Sequence, residues 1–108
     1  MVEHQNDCDL VAAALQGDAH ACSQISNDDT TRWLQAVLMK RGASATEASD
    51  LTADLMADCF GAKAGKPPLL KLYNGKGKLR AFLTRAAINR LIDFKRHQKF
   101  EGQLPVRN

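Results

Sequence analysis

The chain has 108 residues, of which 44% are hydrophobic, 25% charged and 6% aromatic, a composition typical of one soluble globular domain. This length excludes a multidomain enzyme and leaves room for one hydrophobic core, but not for a deep cofactor cleft closed by a lid. The sequence has no run of about 18 apolar residues that could span a membrane and no basic and apolar secretion signal at its start. We therefore expect a cytoplasmic location and no membrane contact.

Cysteine and histidine residues are scattered along the chain rather than grouped. They are Cys8, Cys22, Cys59, His4, His20 and His97. The odd number of cysteines and the absence of a C-x-x-C pair argue against a disulfide framework and against a zinc site. We expect free thiols, no metal and no cofactor.

Charge divides the chain into an acidic part and a basic part. Residues 1–62 contain ten acidic and three basic side chains, whereas residues 63–108 contain two acidic and twelve basic side chains. A segment this basic favours a polyanionic partner such as nucleic acid. Attraction between the two parts of the same chain would also account for the pattern.

Apolar residues recur at helical spacing, and no segment has the alternation typical of a strand. The first predicted helix covers residues 9–16 and ends at Gly17, and the second covers residues 30–41 and ends at Gly42. Residues 26–28 offer caps for the second helix. The inward-facing residues predicted for the two helices are Leu10, Val11, Ala14 and Leu15, and Trp33, Leu34, Val37 and Leu38.

The third predicted helix has the clearest start in the chain. Ser44 followed by Glu47 makes an S-x-x-E capping box, in which each side chain accepts a hydrogen bond from the other residue's backbone. The predicted apolar face consists of Leu51, Leu55, Met56 and Cys59 or Phe60. Four carboxylates, here called the acidic ridge, share the opposite side at helical spacing: Glu47, Asp50, Asp54 and Asp58. Because like charges repel, the ridge costs stability unless a partner compensates it.

The last helix is predicted over residues 78–99, after an exposed loop with a short helical turn near residues 69–73. Its apolar residues fall on two opposite sides, so we expect burial on more than one side. These residues are Leu79, Phe82, Leu83, Ala86 and Ala87 on one side, and Ile88 and Ile92 on the other. A polar stripe runs between the two sides and consists of Arg85, Asn89, Asp93 and Arg96.

The segment KLRAFLTRAAINRLIDFKRHQ resembles the second conserved region of bacterial RNA polymerase sigma factors of the extracytoplasmic-function group. That group carries an aromatic–Leu pair, then Asn, then Asp four residues later and Arg three after that. Phe82-Leu83, Asn89, Asp93 and Arg96 follow this order, with Phe82 where Trp is usual. Upstream, ATEASDLTADLMADCF is similar to the family's acidic helix, with Ala53 where Gln is usual, and QGDAHA to its Gly-Asp turn.

The resemblance implies an all-α bundle of about four helices over residues 9–100, with residues 1–8 as a flexible N-terminus and residues 101–108 as the start of a linker. It implies a non-enzymatic promoter-recognition module for transcription initiation. Such a module docks on the clamp coiled coil of the largest subunit of the RNA polymerase core, and it binds and melts the promoter element near position minus ten. The implied partners are polymerase and single-stranded promoter DNA, with an anti-sigma protein as a further candidate.

The resemblance and the charge pattern together select two sets of site residues. Those expected to bind polymerase are Asp50, Leu51, Asp54 and Asp58. Those expected to contact DNA are Lys78, Arg80, Arg85, Asn89, Arg90, Lys95, Arg96 and Lys99.

Several of these residues also have an ordinary structural explanation. The acidic ridge fits a solvated helix face, and Asn89 and Asp93 are spaced to bond to each other. Tyr73 and Phe82 are the aromatic candidates for stacking on unpaired bases, but Phe82 also fits the core.

Two other functions fit the sequence. In a magnesium-dependent phosphohydrolase the acidic ridge would bind the metal, although a second helix would have to add carboxylates, with Asp28 and Asp29 nearest. A generic duplex-DNA binder or a partner-binding adaptor would require only the helical fold and its charge. The sigma-type hypothesis predicts binding to single strands and polymerase, the generic hypothesis predicts equal or tighter duplex binding, and the hydrolase predicts magnesium-dependent turnover.

Overall fold

All regular structure in the described part of the chain is helical. The computed structural model describes residues 5–61, 65 and 67–103, with side chains as far as Gln98. Its α-helices are α1 (Gln5–Leu15), α2 (Ala19–Ile25), α3 (Asp28–Lys40), α4 (Ala45–Cys59) and α5 (Leu79–Gln103), with a 3-10 turn at Leu69–Leu72. The predicted all-α bundle is confirmed.

The first two helices differ from the sequence prediction. α1 begins at Gln5 rather than at residue 9, with Asp7 in its first turn where a negative charge is favourable. The predicted Gly-Asp turn follows α1 at residues 16–17, where Gly17 has a positive φ. It leads into an additional helix, α2, which the Asp18 side chain caps by accepting from the backbone N–H of Ala21 at 3.1 Å. The described structure therefore has one more helix than predicted, and α1 includes residues 5–8.

The hydrophobic core lies where α3, α4 and α5 meet. α3 packs against both α4 and α5, and α4 also packs against α5. Leucines from every side of this junction are fully buried: Leu34, Leu38, Leu55, Leu70 and Leu83. Leu70 belongs to the 3-10 turn, so burial of its side chain holds the loop between α4 and α5 against the core.

α5 buries one side only, so the expectation of burial on two sides is wrong. The buried residues are Leu79, Leu83, Ala87 and Leu91. On the other side Ile88 is half-buried and Ile92 is 48% exposed. Two further residues predicted to face inward are also exposed, namely Leu15 and Trp33. The apolar residues therefore extend around each helix beyond the part of its surface that neighbouring helices cover.

The cysteines are free thiols, as the sequence predicts. Cys8 and Cys22 are half-buried, whereas Cys59, the last residue of α4, is buried in the core. Burial raises the pKa of the Cys59 thiol to about 12, so this side chain stays neutral at physiological pH. Among the described helices none is long and apolar enough to cross a membrane.

The N-terminus of α5 is capped by a residue of α1. The backbone N–H of Leu79 donates a hydrogen bond to a carboxylate oxygen of Asp7 at 2.8 Å. The first N–H groups of a helix have no partner within it, and the helix dipole favours a negative charge at that end. Asp7 therefore joins the first helix to the last one.

Replacement of Asp7 by alanine removes this cap. We expect the free energy of unfolding to fall by about 1 kcal/mol, the usual effect of losing a helix cap. Urea denaturation followed by circular dichroism measures the change. Asp9→Ala is the matched control, because Asp9 is an exposed residue of the same helix whose one hydrogen bond among the described residues comes from Gln5. Equal losses in the two variants would contradict the capping role.

Candidate nucleic-acid interface

Three of the four carboxylates of the acidic ridge of α4 contact the basic helix α5. Arg90 donates hydrogen bonds to Asp54 through Nη1 and to Asp58 through Nη2. The Arg90 and Asp58 side chains are only 23% and 13% exposed. The planar guanidinium thus bridges two carboxylates one helical turn apart, which compensates their mutual repulsion within the chain.

Glu47 belongs both to the capping box of α4 and to this helix pair. The backbone N–H of Ser44 donates to Glu47 Oε1 at 2.9 Å, and the Ser44 hydroxyl accepts from the Glu47 N–H at 3.1 Å. Lys95 Nζ on α5 lies 3.5 Å from the same carboxylate oxygen. The Ser44 N–H first, and then Lys95, hold the pKa of Glu47 below its usual value.

The residues predicted to bind polymerase are therefore not equivalent. Asp54 and Asp58 contact Arg90, and Leu51 is half-buried against the core. Asp50 is exposed, and in the described part of the chain its side chain forms no hydrogen bond or ion pair. Asp50 is thus the member of this set that is directly available to a partner.

The described cations among the residues predicted to contact DNA divide into two sets. Arg80 pairs with Asp29 at 2.8 Å, and Arg90 and Lys95 pair with the acidic ridge. Lys78, Arg85 and Arg96 are exposed and have no acidic partner among the described side chains. The side chain of Lys99 lies outside the described residues. Attraction between the acidic and basic parts of the chain therefore accounts for some of the cations of α5, but not for all of them.

The polar stripe of α5 faces solvent. Arg85, Asn89, Asp93 and Arg96 are all exposed, and none of these four side chains has a hydrogen-bond partner in the described structure. The hydrogen bond that the sequence allows between Asn89 and Asp93 does not form. The stripe is therefore a row of donors and acceptors along three turns of one helix, available to an external ligand.

The two aromatic residues suggested by the sequence pack against each other. The Tyr73 and Phe82 rings meet edge to face at 5.5 Å, and Phe82 also packs against the core. The Tyr73 hydroxyl donates to the backbone carbonyl of Gly77 at 2.5 Å, and burial raises its pKa. Both rings thus stabilise the loop before α5.

Trp33, which the sequence predicts to face inward, is the one exposed aromatic residue in the described part of the chain. Its side chain, 45% exposed, lies in an open groove of about 490 Å³ between α3 and α5. The rest of the groove is formed by α5 and the residue before it, and the floor is mostly apolar. The lining residues are Trp33, Lys78, Arg80, Ala81, Thr84, Arg85 and Ile88.

Hydrogen bonds to α5 fix the indole ring of Trp33. Its Nε1–H donates to the Thr84 hydroxyl at 3.0 Å, and this hydroxyl donates to the backbone carbonyl of Arg80 at 2.7 Å. The guanidinium carbon of Arg80 lies 5.5 Å from the centre of the indole ring, within the range of a cation–π contact. An aromatic face and several cations therefore share one rigid surface.

No family model, curated protein or solved structure matches this chain. The sigma-factor resemblance therefore rests on the motifs in the sequence. Within the described ranges no three Cys, His, Asp or Glu side chains are grouped as metal ligands would be. The acidic ridge, which the hydrolase hypothesis requires as a metal site, is instead contacted by Arg90 and Lys95.

Removal of the Arg90 side chain tests the bridge between α4 and α5. Because Arg90 and Asp58 are largely but not fully buried, we expect Arg90→Ala to lower the free energy of unfolding by about 2 kcal/mol, between the values for exposed and buried pairs. Urea denaturation measures the loss. Arg85→Ala, on the same helix without a partner, should change stability by no more than about 0.5 kcal/mol. A result in which the two variants are equally stable would contradict the bridge.

Proposed function

We propose that this domain is a promoter-recognition module of the sigma-factor type. In this role it acts in the cytoplasm, docks on the RNA polymerase core, and binds the single-stranded promoter element near position minus ten. The observation that carries the proposal is the exposed polar stripe of α5, whose side chains have no hydrogen-bond partner among the described residues. Its position on the helix that carries the resemblance to the sigma family supports the same conclusion.

The chemistry of the stripe suits an unpaired nucleic-acid strand. Arg85 and Arg96 can neutralise phosphates and release the counterions condensed on them, which supplies affinity without sequence preference. Asn89 can donate to and accept from the edge of a base. Asp93 repels phosphate, so it either accepts a hydrogen bond from a base amino group or orients Arg96. Base edges are most accessible in a single strand, which favours melted over duplex DNA.

Polymerase docking rests on a smaller surface than the sequence suggests. Asp54 and Asp58 already bind Arg90, so a basic partner would meet Asp50 as the fully available carboxylate of this helix. The half-buried Leu51 beside it offers an apolar contact. The exposed carboxylate can attract a basic partner and fix its orientation, while Leu51 adds a packed contact.

Reversal of two stripe charges tests nucleic-acid binding. We expect Arg85→Glu with Arg96→Glu to weaken binding to a single-stranded oligonucleotide at least about tenfold at low salt, because phosphate contacts become repulsive. Fluorescence anisotropy with single-stranded and duplex forms of one sequence measures this. Lys71→Glu with Lys76→Glu changes net charge equally, at exposed loop lysines, and should have a smaller effect.

Two outcomes would contradict this expectation. Equal weakening by the two double variants would indicate attraction by net charge alone. Duplex binding as tight as single-strand binding would favour the generic DNA-binding function.

A single substitution tests docking on polymerase. We expect Asp50→Lys to reduce capture of purified RNA polymerase core at least about tenfold, because a carboxylate facing a basic surface becomes a repelling ammonium group. Asp54 is unsuitable for this purpose, since its replacement would also break the contact with Arg90. Asp9→Lys, an exposed acid on α1, is the control. Undiminished capture by Asp50→Lys, or no capture by the unmodified protein at micromolar concentration, would refute docking at this surface.

A further inference from the structure

We infer that the groove around Trp33 is a binding site for one unstacked nucleobase of a single strand, with the flanking phosphates held by cations at its rim. This inference rests on the proposed function and names a site that the resemblance does not include. Trp33 lies on α3, outside the motifs that resemble the sigma family.

The size and lining of the groove fit a base. A volume of about 490 Å³ lies within the range of small-ligand sites, and its walls are mostly apolar. The indole ring, which has the Arg80 guanidinium beside it, supplies a flat aromatic surface, and Ala81 and Ile88 add apolar lining. Stacking on an aromatic side chain accepts any of the bases, because each has a π-face.

The charges at the rim distinguish a nucleotide from an apolar peptide. Lys78, Arg80 and Arg85 line the groove, and two of them, Lys78 and Arg85, have no acidic partner among the described side chains. Arg80 contacts Asp29, whose side chain is 84% exposed. An exposed ion pair of this kind contributes little, so a phosphate can replace Asp29 beside the guanidinium. Only a ligand that combines a flat apolar group with adjacent negative charges uses all of these features.

The Trp33 ring is already positioned for stacking. Its hydrogen bond to Thr84 at 3.0 Å holds the indole against α5, so little side-chain freedom is lost when a base binds. The groove also shares Arg85 with the polar stripe, so that a strand lying along α5 would place one base in the groove and the next nucleotides beside Asn89 and Arg96. The groove therefore forms one end of a continuous surface.

The chain contains a single tryptophan, so its fluorescence reports on this groove alone. The probes are an oligothymidylate of about 12 nucleotides and an abasic chain of the same length and charge. We expect the oligothymidylate to quench the Trp33 emission and the abasic chain to leave it unchanged while still binding through its phosphates. Oligothymidylate binding with unchanged emission would overturn the inference.

Substitution of Trp33 provides the second measurement on the full chain. We expect Trp33→Ala to bind oligothymidylate roughly 5- to 140-fold more weakly, the range for loss of one stacked base, with affinity for the abasic chain unchanged. Trp33→Leu keeps an apolar side chain without the ring, and should show the same loss if the alanine variant does not fold. Met39→Ala is the control, since Met39 is 48% exposed on the same helix and does not line the groove.

The remaining outcomes separate the failure of this site from the failure of the proposed function. Wild-type affinity for oligothymidylate in both Trp33 variants would overturn the groove as a base site and leave nucleic-acid binding intact. Failure of the unmodified protein to bind either probe at low salt would overturn both. Concentration-dependent self-association in sedimentation, accompanied by a shift of the Trp33 emission without oligonucleotide, would assign the groove to a second copy of the chain instead.

Discussion

The contact of Arg90 with Asp54 and Asp58 is the interaction on which the arrangement of α4 and α5 depends. Without it, carboxylates one turn apart would repel each other along α4, and a basic helix would lie beside them with its charge uncompensated. With it, the two longest helices are held in one register, and the polar stripe is directed away from α4. Part of the charge asymmetry of the sequence therefore stabilises the fold through ion pairs between α4 and α5. The charged side chains of α5 that remain exposed and unpaired form the surface available for binding.

Local signals in the sequence were sufficient for most of the fold. The capping box at Ser44 and Glu47 forms as the spacing predicts, and the 3-10 turn lies in the predicted loop. α2 was missed because its seven residues are too few to display a helical period, so that only Asp18 marked its start. The extent of α1 was also underestimated, because the Gln5 and Asp7 side chains form hydrogen bonds, to Asp9 and to the Leu79 backbone, that an apolar pattern does not display.

The candidate site was less predictable than the fold because it depends on which side chains meet across helices. Spacing placed four carboxylates on one ridge, but only the packing of α5 distinguishes Asp50, which faces solvent, from Asp58, which is largely buried. Periodicity likewise placed Trp33 with Leu34 on an apolar face, although Trp33 lies at the margin of that face and borders a groove. A large aromatic residue at such a margin, preceded by Arg32, is the signal that could have indicated a binding surface.

The hydrogen bond between Asp7 and Leu79 joins residues 72 positions apart. Closing a loop of that length costs about 4 kcal/mol in chain entropy. Contacts between residues that are close in sequence have a smaller cost. Helices α3 and α4 are neighbours in sequence and can pair early, whereas the cap on α5 forms only when α1 lies against Leu79. The groove is lined by those same early turns of α5. The cap that α1 supplies therefore also supports one wall of the groove.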